Sequence, residues 1–361
     1  MTANILPHNA KLKTFVADIA PIIDMQPDAL IMADPGLIMT VLERWSEMPI
    51  HLSVQANTMN YAAAKFWQNI GIRRIILSRE LSLDEVADIR QQCPDIELEV
   101  FVHGALCIAY SGRCLLSGYM SHRDANQGTC TNACRWNYKL HQAQQAESGD
   151  YLLEEQQRPG DYMPIFEDEQ GTYIMNSKDL RAVQHIGRLM EIGIDSVKIE
   201  GRTKSHYYAA RTAQVYRQAI DEAASGKPFD RKLMAELDKL ANRGYTEGFY
   251  RRHPPSDSQN YHFSGSNNQQ QFVGEVLGSE NGLLEIAVKN HFELGDPLEL
   301  MHPQGNQYFT LEYLENQQGQ PISVAPGSGH TVRIRAPVTK NVGYRLLLKE
   351  MNPNNPHGTP V

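Results

Sequence analysis

Up to about residue 225 the chain alternates short, almost uninterrupted apolar runs with longer stretches of helical periodicity, which restricts it to folds built on a helix-covered parallel sheet. The runs read as strands at 28–33 (DALIMA), 50–54 (IHLSV), 73–78 (RRIILS), 96–102 (IELEVFV), 172–176 (TYIMN) and 195–199 (DSVKI). Between them, LKTFVADIAPIIDM, LIMTVLERW, YAAAKFWQNI, LSLDEVADIRQQ and DLRAVQHIGRLMEI carry helical spacing, and a long helix starts near Ser205. Strands covered on both faces leave a doubly wound sheet or a (β/α) barrel.

The strand ends choose between these. Asp34, Gln55 with Asn57, Arg79 with Glu80, His103, Asn176, and Glu200 with Arg202 each follow an apolar run. A barrel brings all such ends to one mouth, whereas a doubly wound sheet gathers them at one switch point. No G-x-G-x-x-G follows an early strand, which weakens a dinucleotide site. The expected first domain, 1–255, is therefore an α/β, (β/α)8-type barrel. Fewer than eight strands are legible, and the chain opens on TANI, which reads as the tail of a strand, so N-terminal units of the barrel are expected to be missing. The polar stretch 139–170 reads as a loop excursion from the mouth. A linker over 256–271 leads to a small all-β barrel at 272–350, patterned FVGEVLG, LLEIAVKN, YFTLEYL, HTVRIRAP and YRLLLKE, and 351–361 reads as a disordered tail.

Composition narrows the function classes. With 361 residues, 41% of them apolar, the chain buries a large core, and a formal charge of −8 disfavours a general polyanion-binding surface. No apolar run reaches the ~18 residues of a membrane span. The N-terminus has no apolar signal core, so a cytoplasmic protein with no membrane partner is expected. Of five cysteines, Cys93 stands apart on a helix, while Cys107, Cys114, Cys130 and Cys134 are spaced C-x6-C-x15-C-x3-C. Four thiolates gathered by loops hold either an iron–sulfur cluster or zinc. The absence of tight C-x2-C pairs leans toward the cluster, with zinc as the alternative.

The segment EVFVHGALCIAYSGRC resembles the signature of the peptidase U32, or collagenase-like, family: Glu99, Phe101, His103 to Cys107, and Ser111 to Cys114 all fit it. NQGTCTNACRW supplies the other two cysteines, and PDALIMADPG, HLSVQAN, ILSREL, MNSKDL and VKIEGRTKS extend the likeness over nearly the whole chain. Within that family the chain is most similar to the branch required for 5-hydroxyuridine formation at the tRNA wobble position. The resemblance implies a [4Fe-4S] cluster on Cys107, Cys114, Cys130 and Cys134, tRNA as partner, prephenate as hydroxyl donor, the iron–sulfur assembly machinery as supplier, and oxygen-independent chemistry. The same scaffold in relatives acts on ribosomal RNA. Proteolysis is the alternative that the family's historical label carries. There is no G-x-S-x-G or H-E-x-x-H, so a protease would need a thiol such as Cys107 with His103 as base.

Candidate catalytic residues are His103 and Glu200, at strand ends. For substrate, Gln55 and Asn57 suit a pyrimidine edge, Arg79 a carboxylate, and Arg202 a bidentate anion clamp. GRTKSHYYAARTAQVYR (201–217) puts Arg202, Lys204, Arg211 and Arg217 beside Tyr207, Tyr208 and Tyr216, as single-stranded RNA loops require. RGYTEGFYRRH (243–253) repeats that composition. The structural alternative for both patches is a helix face or loop whose tyrosines pack inward.

Overall fold

The computed structural model describes residues 1–106, 178–201, 204–242, 244–251, 270–303, 305–337 and 345–351, with shorter stretches between 110 and 172. Two compact units are present, and the chain visits each twice: Met1–Glu200 with Arg243–Ser264, and Gly201–Asn242 with Gly265–Val361.

In the first unit, α1 (Asn9–Asp24), α2 (Pro35–Arg44), α3 (Tyr61–Ile70) and α4 (Leu83–Gln92) alternate with β1 (Leu30–Met32), β2 (Ile50–Leu52), β3 (Arg74–Ile76) and β4 (Glu97–Gly104). The helices start where the sequence supplies caps. Asp34 accepts from Leu37 N ahead of α2, with Pro35 at the first helical position, and Asn60 accepts from Ala63 N ahead of α3. Ser82 and Glu85 close a capping box on α4. The strands β1 to β4 pair in parallel. Leu30, Met32, Ile50, Leu52, Ile75 and Leu98 are fully buried, as befits a sheet whose one face packs entirely on helices. Residues of the other face line up in register as Ile31, His51, Arg74 and Glu97. Thr2 adds a parallel bridge to Ile31.

Beyond β4 the sheet departs from the all-parallel expectation. β5 (Tyr138–Gln142), β6 (Tyr151–Glu155) and β7 (Tyr162–Ile165) form an antiparallel sheet in the stretch read as a loop excursion, followed by a short ladder of β8 (Glu167–Asp168) with β9 (Gly171–Thr172). Residues 173–177, most of the expected TYIMN strand, lie outside the described residues. The strand that joins the main sheet is β10 (Asp179–Arg181), antiparallel to β4, in a segment whose sequence reads as helix. Its backbone is committed to the sheet: Asp179 N donates to Gly244 O at 3.0 Å and Ala182 N to Val102 O at 2.9 Å. Helical structure therefore begins only at Val183 and continues as α5 (Ile186–Ile192). β11 (Ser196–Glu200) returns parallel to β4, with a register shift between Lys198 and Ile199. β12 (Tyr245–Thr246) pairs in parallel with β10. This unit is therefore a mixed α/β structure, and among the described residues no pairing joins β12 back to β1.

The second unit combines α6 (His206–Ala224) and α7 (Lys232–Asp238) with an antiparallel β domain. α6 is capped by Ser205, whose hydroxyl accepts from Tyr208 N. The β domain comprises β13 (Gln270–Glu280), β14 (Leu283–Val288), β15 (Phe292–Glu293), β16 (Pro297–Met301), β17 (Gln307–Thr310), β18 (Leu314–Asn316), β19 (Val324–Ala325), β20 (Thr331–Ile334) and β21 (Leu346–Glu350). Its seven-stranded sheet runs β17-β16-β21-β13-β14-β20-β18 around a core of Val273, Leu284, Ile286, Phe292, Leu300 and Leu347. The helices are fastened to this sheet by a buried polar network. Arg211 donates to Glu299 at 2.7 Å and to Glu236 at 3.2 Å, Gln270 donates to Glu299 at 2.6 Å, and Tyr207 OH donates to Gln270 at 2.8 Å. Arg211 and Glu299 are both completely buried.

Candidate active site at the strand ends

The ends of β3, β4 and β11 converge around Phe101. The Arg79 guanidinium lies 3.6 Å from the centroid of its ring, and the Lys198 ammonium 5.7 Å from it. Both cations are attracted to the π face. Arg79 also faces Glu200 across 3.8 Å, so two of the expected site residues form an ion pair. Below Phe101, Glu99 is buried and receives Lys198 at 2.9 Å, Ser196 at 2.9 Å and Arg74 at 3.2 Å. Burial pushes the Glu99 carboxyl up, but the Lys198 charge and the three hydrogen bonds outweigh it and hold the group below its ordinary value. A carboxyl that keeps its charge to lower pH when folded stabilises the fold above its unfolded value of 4.5, and this contribution disappears as the pH falls through the folded value. Glu99→Gln is accordingly expected to be less stable than wild type at neutral pH, with the gap narrowing as the pH is lowered below 4.5, checked by urea unfolding at a series of pH values.

Gly104 explains the glycine of the HGAL motif. Its φ is +107°, and a Cβ there would lie 2.0 Å from the Glu200 carbonyl oxygen. Only glycine lets β11 approach β4 this closely, and that approach positions Glu200. His103, one residue earlier, is fully buried with its ring 5.4 Å from that of Tyr245, and the Arg181 guanidinium lies 4.5 Å from the centroid of the same tyrosine. Tyr250 donates its hydroxyl to Phe101 O at 2.5 Å, and its burial pushes that hydroxyl far above its ordinary value. The 243–253 patch thus spends two aromatic rings on the sheet. Of its basic residues, Arg251 pairs with Glu247 at 2.7 Å, and Arg243 and Arg252 lie outside the described residues.

Gln55 and Asn57 sit on the turn after β2. Asn57 adopts φ +50° and its Nδ2 donates to Gln55 O at 3.0 Å. The side-chain oxygens Gln55 Oε1, Thr58 Oγ1, Ser78 Oγ and Glu80 Oε2 are buried without a hydrogen-bond partner among the described residues. The floor beside them is apolar: Val54, Ile76, Phe101 and Leu180 pack together with Ile31.

Other expected residues fall elsewhere. Lys204 and Tyr207 belong to the second unit. The Lys204 ammonium lies 5.0 Å from the Tyr208 ring centroid, while Tyr207 is buried, stacked on Phe272 at 6.1 Å and bonded to Gln270. The tyrosine ring proposed for base stacking is therefore used in packing, because Tyr207, Tyr208, Arg211 and Tyr216 all lie on the buried face of α6. Arg217 is exposed and pairs with Asp221. Arg202, Cys107 and Cys134 lie outside the described residues. Cys114 is half-buried and Cys130 is exposed. Their neighbourhoods are pinned together: Ser117 Oγ accepts from Thr131 N at 2.9 Å and bonds Thr131 Oγ1 at 2.9 Å, while donating to Arg123 O at 2.6 Å. Sequence reasoning missed Lys198, Thr58 and Ser78. The signal for Lys198 was the period-two spacing of Ser196 and Lys198 opposite Glu99 and Phe101.

A charged and aromatic cluster at the ends of a helix-covered sheet, followed by an antiparallel β domain, defines an α/β protein with a strand-end site. The chain belongs to peptidase family U32: the family's main model matches residues 1–260 and that of its C-terminal domain residues 268–349. It is 56% identical to tRNA hydroxylation protein P of Escherichia coli, with 99% of this chain and 86% of that protein aligned. Identity to tRNA hydroxylation protein P of Haemophilus influenzae is 55%, covering 99% of this chain and 85% of that protein. A 23S ribosomal RNA 5-hydroxycytidine synthase of Escherichia coli is 28% identical over 95% of this chain and 50% of that protein. Among the described residues no helix is long and apolar enough to cross a membrane.

Proposed function

We propose that this protein is a tRNA uridine hydroxylase, needed to form 5-hydroxyuridine at the wobble position. The observation that carries this reading is the 56% identity, along 99% of the chain, to a tRNA hydroxylation protein. Replacing the C5–H bond of uracil by C5–OH removes two electrons from the ring, so the reaction needs an oxygen donor and an electron acceptor, which side chains alone do not supply. Prephenate as hydroxyl donor, a cytoplasmic location and dependence on the iron–sulfur assembly machinery belong to the same proposal. So does reading the sheet of the first unit as part of a (β/α) barrel, whose catalytic groups gather at the C-terminal strand ends.

Cys107, Cys114, Cys130 and Cys134 would hold the [4Fe-4S] cluster, with zinc as the alternative occupant. The donor set suits such a cluster: thiolates are its usual ligands, and the Ser117–Thr131 hydrogen bonds keep the segments of Cys114 and Cys130 together. When bound, the cluster supplies electron transfer. The chain's own residues do the positioning. Arg79, held over Phe101 and facing Glu200, binds an anionic group of a donor or a phosphate, and Glu200 orients the substrate. Lys198 is neutralised by Glu99 and keeps the rim around Phe101 in place. His103, deeply buried, is the candidate to hold a proton at its imidazole.

In a bacterial strain deleted for its own tRNA hydroxylation protein, expression of this chain is expected to restore 5-hydroxyuridine, read by mass spectrometry of hydrolysed tRNA. Cys114→Ser is expected to return the signal to the level of the deletion strain, together with loss of the absorbance near 400 nm that thiolate-bound iron gives. Full 5-hydroxyuridine in the Cys114→Ser strain would sink the cluster assignment.

A further inference from the structure

The partnerless oxygens beside the Phe101 floor form a pattern. Thr58 and Ser78 are almost completely buried, at 1% and 5% exposure, and Ser78 N donates to Thr58 O at 3.3 Å, so the two residues are neighbours on the turns after β2 and β3. Their hydroxyls, like Gln55 Oε1, make no hydrogen bond among the described residues. A buried polar group left unpaired costs about 1–3 kcal/mol, and native folds keep few of them. Three on adjoining turns, at the end of the sheet where the Arg79–Glu200 pair lies, are an unused hydrogen-bonding set.

We propose that Thr58, Ser78 and Gln55 read the edge of a planar imide ring, and so make the site prefer uracil to cytosine. The assignment rests on the uridine reading above and adds the residues that set base specificity. Uracil presents two carbonyl acceptors flanking one N–H donor. Two hydroxyls donate to the carbonyls, and the Gln55 amide oxygen accepts from the N–H. Cytosine places an unprotonated ring nitrogen opposite Gln55 Oε1, acceptor against acceptor, and that leaves both desolvated without a bond. Glu80 Oε2 is a further acceptor beside Arg79.

The set predicts opposite effects on stability and on recognition. Thr58→Val and Ser78→Ala each remove a hydroxyl that nothing pairs in the free protein. Each is expected to raise the melting temperature of the full chain without RNA, by about 2–4 °C for a ~1 kcal/mol gain. The binding test uses an anticodon stem–loop RNA with uridine at the first anticodon position and the same RNA with cytidine there. Wild type is expected to favour the uridine RNA by about tenfold or more, the equivalent of ~1.4 kcal/mol, and the variants to bind both nearly equally. Melting temperatures that fall in both variants would assign the hydroxyls to structural bonds and overturn the proposal, as would variants that keep the wild-type preference. If wild type restores 5-hydroxyuridine in the deletion strain while the variants still discriminate, the specificity assignment fails and the function stands. If wild type restores none, the function fails and the assignment falls with it.

Discussion

Gly104→Ala is expected to cost about 3 kcal/mol or more of stability and to abolish hydroxylation even where the protein still folds. Two effects combine at this position. The backbone conformation at φ +107° is one that a side chain strongly disfavours, and the new methyl group would fall 2.0 Å from the Glu200 carbonyl oxygen. That contact is with backbone, so relief requires β11 to move away from β4. Glu200 and Lys198 ride on β11, and the ion pair with Arg79 and the contact of Lys198 with Phe101 move with it. Urea unfolding measures the first effect and tRNA nucleoside analysis the second. Wild-type levels of 5-hydroxyuridine in Gly104→Ala would show that the close approach of the two strands does not position the site.

The second large effect is expected at Arg211. Arg211→Met leaves Glu299 fully buried with the hydrogen bonds from Gln270 and Tyr308 and the charge of Lys239, which also pairs with Glu236, and breaking such a buried pair costs about 3–5 kcal/mol. Glu299→Met takes away the buried partner of the guanidinium but leaves it Glu236 at 3.2 Å, so its loss is expected to be smaller. The double variant Arg211→Met with Glu299→Met removes both charges and is expected to recover most of the loss, because well-packed apolar groups replace buried ion pairs at little net cost. Thermal unfolding of the four proteins closes the cycle. A double variant as unstable as the sum of the singles would mean that the pair contributes no coupling.

The parts of this fold that could be read beforehand are those where local chemistry and tertiary packing agree. Ser205 and Ser82 mark helix starts by chemistry confined to one turn, and DALIMA and IELEVFV are apolar enough to be strands in any context. DLR was unreadable for a physical reason: its strand identity comes from hydrogen bonds to Val102 and Gly244, residues roughly 60–80 positions away, whereas its own sequence continues the helical period of the residues that follow. At the site, polar residues ending strands pointed to Arg79 and Glu200, which the fold brings together. Composition misled at Tyr207 and Tyr250. Arginine beside tyrosine suits an RNA surface and a buried hydrogen-bonded core equally, and only helix phase and burial separate the two.

The helix His206–Ala224 and the strands that follow Gly265 share one interior, although a stretch of the first unit separates them in the chain. A fragment ending near residue 255 would carry that helix without the glutamine, phenylalanine and glutamate it leans on, laying bare a guanidinium and a phenol ring. Any truncation of this protein that is to keep the helix satisfied has to keep residues 201–242 together with the strands after Gly265.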